Sequence, residues 1–203
     1  YLQSKFGCNI RAIVPQIAMS AGTMIACSCN SIVMGKQSSL GPIDPHFNGI
    51  PAHGAIEEFE ESRDNIKKNP DEIPVWQTVL AKYPPTFIGE CRKALSWSRD
   101  MTKDWLINGM FSSDANKDNK AEKVVKILSD HALTKSHNRH ISIDQCKDMG
   151  LVIEDLEDDD RFQDLVLSVH HACMHTLSLT GTVKLIENHD GIGFFQTYSR
   201  KDD

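Results

Sequence analysis

The sequence predicts an α/β fold, and three observations carry that reading. Two short apolar runs, Ile10–Val14 and Ser31–Gly35, bracket a segment of small residues. The middle of the chain shows helical rather than alternating periodicity. The chain has 203 residues with 40 % hydrophobic content, enough for one domain with a sizeable buried core.

Each element follows in order. Tyr1 to Gly7 reads as the end of a helix with its stop glycine. Asn9 to Pro15 holds Ile10, Ala12, Ile13 and Val14 and fits a buried parallel strand. Gln16 to Met19 is the turn out of it, and Ala21 to Cys27 suits a short, closely packed helix. Ser31-Ile32-Val33-Met34-Gly35 reads as a second strand. Together these form a strand–helix–strand unit, whose functional end is the carboxyl edge of the first strand. Ser38 to Pro45 is read as loop or edge, because its two prolines remove ladder donors.

Beyond this point the pattern is helical. Ala55 to Lys68 is a charged helix ended by Asn69-Pro70, and Val75 to Tyr83 is another, stopped by Pro84-Pro85. Thr86 to Phe111 carries Phe87, Cys91, Leu95, Trp97 and Trp105 at spacings of a long apolar stripe, which assigns the tryptophans to a core or a subunit contact. Ala121 to Asp130 and Ile143 to Met149 are further helices, the latter capped by Gly150. Leu151 to Ile153 and Val183 to Ile186 are late strands, and Phe162 to Leu179 is a helix. The acidic run from Glu154 to Asp160 is read as a solvated loop or a helix start, since it lacks the spacing and turn glycine of a calcium loop.

Composition narrows the function classes. The net charge of −6, with no basic patch, argues against a nucleic-acid partner. The six cysteines are scattered and sit mostly in apolar segments, which fits reduced thiols in a cytoplasmic compartment. Cys27-Ser28-Cys29 is too tight for a zinc knuckle, and His171 with His175 lacks an acidic partner, so no metal and no cofactor is expected. No run reaches the roughly 20 apolar residues of a membrane helix, so membrane association is expected only through a segment absent from this sequence.

The chemistry converges on Ser20. A serine becomes a nucleophile when a base takes its proton and donors stabilise the oxyanion. At a strand-to-helix junction the first-turn N–H groups and the helix dipole supply the second requirement. Ala21 and Gly22 add no bulk. Read by spacing alone, Ser20 is either this nucleophile or an ordinary N-cap, because serine before an apolar helix is a common cap.

Val14 to Ala26, followed by Met34 to Pro45, resembles the serine dehydrogenase proteinase family of Clp-protease-like peptidases, which stands beside signal peptide peptidase A. The resemblance runs on more weakly to about Gly191. It implies a Clp-protease/crotonase-like ββα core over residues 1–203, a single domain lacking its first strands, with a helical C-terminal part. It implies a serine peptidase acting through an acyl-enzyme on Ser20, with Ala21 as an oxyanion donor and a second donor on a strand before Tyr1. A homo-oligomer and a peptide or protein substrate go with it.

The resemblance also marks departures. Asp44 stands where Clp-type peptidases carry the basic histidine, and His46 follows two residues later. In Asn138-Arg139-His140-Ile141-Ser142 the acid is replaced by Asn138, flanked by His137 and His140. Three wirings stay open: His46 with Asn138 or Asp44, His137 or His140 with Asp44, or a lysine such as Lys67 or Lys68. Asparagine can orient an imidazole as a carboxylate does. The disturbed triad also admits a catalytically impaired crotonase-fold scaffold or oligomeric binding module. An acyl-coenzyme A crotonase fits less well, for want of a carboxylate pair.

Overall fold

The computed structural model of the chain describes residues 1–7, 9–129 and 139–198. They form an α/β structure in two compact units, Tyr1–Glu154 and Asp155–Asp203.

The first unit opens on helix α1 (Leu2–Phe6), closed by Gly7. Strand β1 (Arg11–Val14) lies parallel to β3 (Ser31–Met34), with Arg11 opposite Ser31 and Val14 opposite Met34. Ile32, Val33 and Met34 are fully buried. An unbroken apolar run is what a parallel strand covered on both faces requires. β8 (Ile153–Asp155) completes this sheet in the order β1-β3-β8. Helix α2 (Ala21–Cys27) makes the crossover between β1 and β3.

A second small sheet lies between the same elements in sequence. β2 (Ile17–Ala18) pairs in parallel with β4 (Ser39–Leu40), which pairs antiparallel with β7 (Ile141–Ser142). Ser39–Leu40 is therefore the middle strand of this sheet and not a loop or edge. Its prolines fall just beyond the ladder, at Pro42 and Pro45, where no donor is needed.

A hairpin of β5 (His46–Phe47) and β6 (Ile50–Pro51) leads into the helical part. Its two-residue turn has φ of 51° at Asn48 and 84° at Gly49, the pair of left-handed residues a type I′ turn demands. Helices α3 (Ala52–Lys68), α4 (Ile73–Leu80), α5 (Phe87–Asn108) and α6 (Lys117–Leu128) follow. α3 and α5 pack on each other around Ala52, Ala55 and Cys91, with Phe47, Tyr83 and Phe87 against them. The buried stripe of α5 is Cys91, Ser98, Thr102 and Leu106. Trp97 is 67 % exposed and belongs to no core, whereas Trp105 packs against the main one.

α7 (Ile143–Met149) begins with a full capping box: Ser142 Oγ accepts from Gln145 N, and the Gln145 side chain accepts from Ser142 N. Gly150 caps its far end in the left-handed conformation, as expected.

In the second unit the acidic run becomes a helix start. A short 3-10 turn over Leu156–Asp158 leads to Asp159, whose Oδ1 accepts from Phe162 N at 2.9 Å to cap α8 (Asp160–Leu179). α8 lies against β9 (Thr182–Glu187), which forms an antiparallel hairpin with β10 (Gly193–Thr197). No helix among the described residues is long and apolar enough to cross a membrane.

Candidate active site

Ser20 sits between β2 and α2 with φ 49° and ψ −115°. A non-glycine residue in this region is strained, at a cost of about 1–3 kcal/mol. An ordinary N-cap has extended backbone and a side chain that accepts from the first turn. Ser20 has neither, since its side chain makes no cap hydrogen bond. Ser20 thus stands at the N-cap position without capping the helix through its side chain. A serine on a strained strand-to-helix turn is also the geometry of hydrolase nucleophile elbows.

Backbone bonds hold this turn. Ser20 N–H donates to Pro42 O at 3.1 Å, and Met24 N–H to Ser20 O at 3.1 Å. Gly22 N–H is taken by Met19 O at 2.8 Å, but no bond from Ala21 N–H occurs among the described residues. A first-turn donor left unpaired beside a serine is suited to an oxyanion.

Two residues missed by sequence reasoning fix the geometry. Thr23 Oγ1 is buried within 2.8 Å of Ala18 O and 2.9 Å of Gly41 O, and it accepts from Gly41 N at 3.2 Å. It thereby ties α2 to β2 and to the residue that follows β4. Gly41 gives room to Met19, because a Cβ there would stand 2.2 Å from Met19 Sδ. A polar residue in the first turn of an otherwise apolar helix was the only signal of the former.

Asp44 and His46 follow Pro42, whose carbonyl accepts from Ser20 N–H. His46 is half-buried, and its Nδ1 lies 3.2 Å from Asp44 O. A carbonyl oxygen can only accept, so this contact requires Nδ1–H and leaves the ring's lone pair on Nε2 in the neutral form. The Asp44 carboxylate turns elsewhere. It is 7 % exposed, and neither oxygen has a hydrogen-bond partner among the described residues.

His140 is exposed, with Nδ1 2.8 Å from Ser39 Oγ on β4. His137 and Asn138 lie outside the described residues. Lys67 and Lys68 are exposed in the last turn of α3, Lys67 with its Nζ 3.9 Å from Asp64 Oδ1. A further histidine, passed over in the sequence, opens the same helix. Ala52 N–H donates to Pro45 O at 2.9 Å, and the adjacent His53 has Nδ1 3.3 Å from Glu57 Oε1. Among the described residues no group of three or more His, Cys, Asp or Glu is placed to hold a metal ion.

The family described as ClpP-like SDH-type serine proteinase matches residues 3–168. Two curated relatives from Methanocaldococcus jannaschii are similar. Uncharacterized protein MJ0137 is 28 % identical over 144 residues, 71 % of this chain and 43 % of the relative. Uncharacterized protein MJ1495 is 23 % identical over 141 residues, 70 % of this chain and 41 % of the relative. The chain thus spans less than half the length of the curated relatives it matches. No solved structure matches.

Proposed function

Because the chain belongs to the ClpP-like SDH-type serine proteinase family, we propose that it hydrolyses peptide bonds through an acyl-enzyme on Ser20. The observation that carries this reading is the strained, uncapped Ser20 at the strand-to-helix turn, followed by the Ala21 N–H, which makes no bond among the described residues. The core is read as crotonase-type, and the active form as a homo-oligomer.

In this reading Ser20 Oγ attacks the carbonyl carbon of the scissile bond and its proton passes to His46 Nε2. The Asp44 main-chain carbonyl holds the imidazole by Nδ1–H, in place of the usual carboxylate. The oxyanion gathers on the Ala21 N–H, within the field of the α2 first turn. Collapse of the tetrahedral intermediate returns the proton from Nε2 to the leaving amine. Water then repeats the cycle on the acyl-enzyme and frees Ser20.

A second reading, a crotonase-fold scaffold or oligomeric binding module without activity, is favoured by one fact. Among the described residues no base is hydrogen-bonded to Ser20 Oγ. Catalytic contacts often tighten only with substrate bound, so the two readings are separated by experiment. A fluorophosphonate probe on the full-length protein is expected to label Ser20, and Ser20→Ala to abolish both label and peptide hydrolysis. His46→Ala should slow labelling by about 10²–10⁴-fold, the span of general-base catalysis. An unlabelled Ser20 without peptide hydrolysis decides for the scaffold, whereas hydrolysis unchanged in Ser20→Ala overturns Ser20 as the nucleophile.

A further inference from the structure

Helices α5 and α6 pack on each other and bound a cleft of about 520 Å³. Four cations line it, Arg92, Arg99, Lys103 and Lys126, against two carboxylates, Asp100 and Glu122. In a chain of net charge −6 this surplus of positive charge is local and not a property of the whole surface. The helical repeat accounts for it. Arg92, Arg99 and Lys103 are separated by seven and four residues, so they follow one face of α5, and Lys126 joins them from α6.

These cations are engaged to different degrees. Lys103 Nζ donates to Glu122 Oε2 at 2.6 Å, and Arg92 Nη2 lies 3.5 Å from Glu60 Oε1. Arg99 donates through Nε to Ser129 Oγ at 2.8 Å, and that hydroxyl donates in turn to Val125 O at 2.7 Å. The guanidinium is thereby steadied by one edge, and its two terminal nitrogens make no bond among the described residues. Lys126 makes neither an ion pair nor a hydrogen bond among the described residues. Lys103 first, and then Arg99 and Lys126, hold the Glu122 carboxyl below its ordinary value, so the charges of all three are felt at one wall of the cleft. On the α5 side Asp100 Oδ2 accepts from Ser96 Oγ at 3.1 Å.

The charge and size of the cleft narrow its ligand. A phosphate monoester carries about −1.5 to −2 at neutral pH and matches the surplus of cations over carboxylates, whereas a single carboxylate leaves half of it unmatched. An arginine held through Nε still presents terminal N–H groups to phosphate oxygens, and a lysine adds a point charge. The cleft exceeds a phosphate in size and lies in the range of small-molecule sites. Asp100 and Glu122 are acceptors for hydroxyl or amino groups on the rest of such a ligand. We propose that the α5–α6 cleft binds a small phosphomonoester, its phosphate held by Arg99 and Lys126. This site uses no residue of the Ser20 scheme and stands independently of the peptidase reading.

Isothermal titration of the full-length protein tests it with two phosphomonoesters, glucose 6-phosphate and AMP, beside glucose, adenosine and inorganic phosphate. At least one ester should bind at least about tenfold more tightly than its phosphate-free parent, the range of a charge-assisted hydrogen bond. Arg99→Gln and Lys126→Gln should each weaken that ester by a similar factor. Lys93→Gln, the same change of charge on the same helix but outside the cleft, should leave it unchanged. Lys126→Gln decides should Arg99→Gln fold poorly, since it breaks no bond among the described residues. No ester bound above its parent, an affinity untouched by Lys126→Gln, or an equal loss in Lys93→Gln overturns the proposal. Inorganic phosphate bound as tightly as either ester assigns the cleft to the free anion and overturns the ester.

Discussion

Ser20 adopts φ 49° and ψ −115°, a backbone region that glycine enters without cost and serine does not. The strain is maintained by bonds at its flanks: Ser20 N to Pro42 O, Met24 N to Ser20 O, and the Thr23 hydroxyl bridging Ala18 and Gly41. Strain held by its surroundings is the mark of a position shaped for function rather than stability. Ser20→Gly is therefore expected to raise the stability of the fold by about 1 kcal/mol while removing the proposed nucleophile. Chemical denaturation of the two proteins checks it, and a destabilised glycine variant would show that the turn is not strained.

Among the elements, the small sheet and α7 decide how the site is assembled. β4 is held between β2 and β7, so Ser39 and Leu40 carry β2, which leads to Ser20, on one side and the Ile141–Ser142 strand on the other. β7 runs directly into α7, whose first turn is closed by Ser142 and Gln145. Ser142→Ala removes the cap and should cost about 1 kcal/mol, with Ser142→Asp largely restoring it. Urea midpoints for the three proteins are the measurement. Equal midpoints would mean that tertiary packing alone holds the helix.

Across the whole molecule, the thiols set an alkaline limit. Burial pushes Cys27 from its ordinary value of 9.0 to about 12, with Cys146 and Cys29 adding like charge, and burial pushes Cys146 to about 12. Each thiol binds its proton more tightly folded than unfolded. Their contribution is complete below pH 9 and is lost as pH rises from 9 toward 12. Thermal melts should thus be insensitive to these groups from pH 7 to 9 and fall steeply above it. Cys27→Ala with Cys146→Ala should flatten that fall, whatever the doubly substituted core loses at neutral pH.

The β1–α2–β3 crossover, the helices α3 to α8 and the start of α8 in an acidic run were legible from apolar spacing and capping residues alone. So was the family, because it rests on contiguous residues. The β2-β4-β7 sheet was not legible, since strands of two residues carry no periodicity, nor was the β10 strand paired with β9. Tertiary structure alone decided that Ser20 is strained and uncapped, and that Asp44 turns its carbonyl to His46 while its buried carboxylate has no hydrogen-bond partner among the described residues. The physical reason is that local sequence governs hydrogen bonds made within a few residues. The direction of a side chain at a junction depends on which distant groups leave it room and partners.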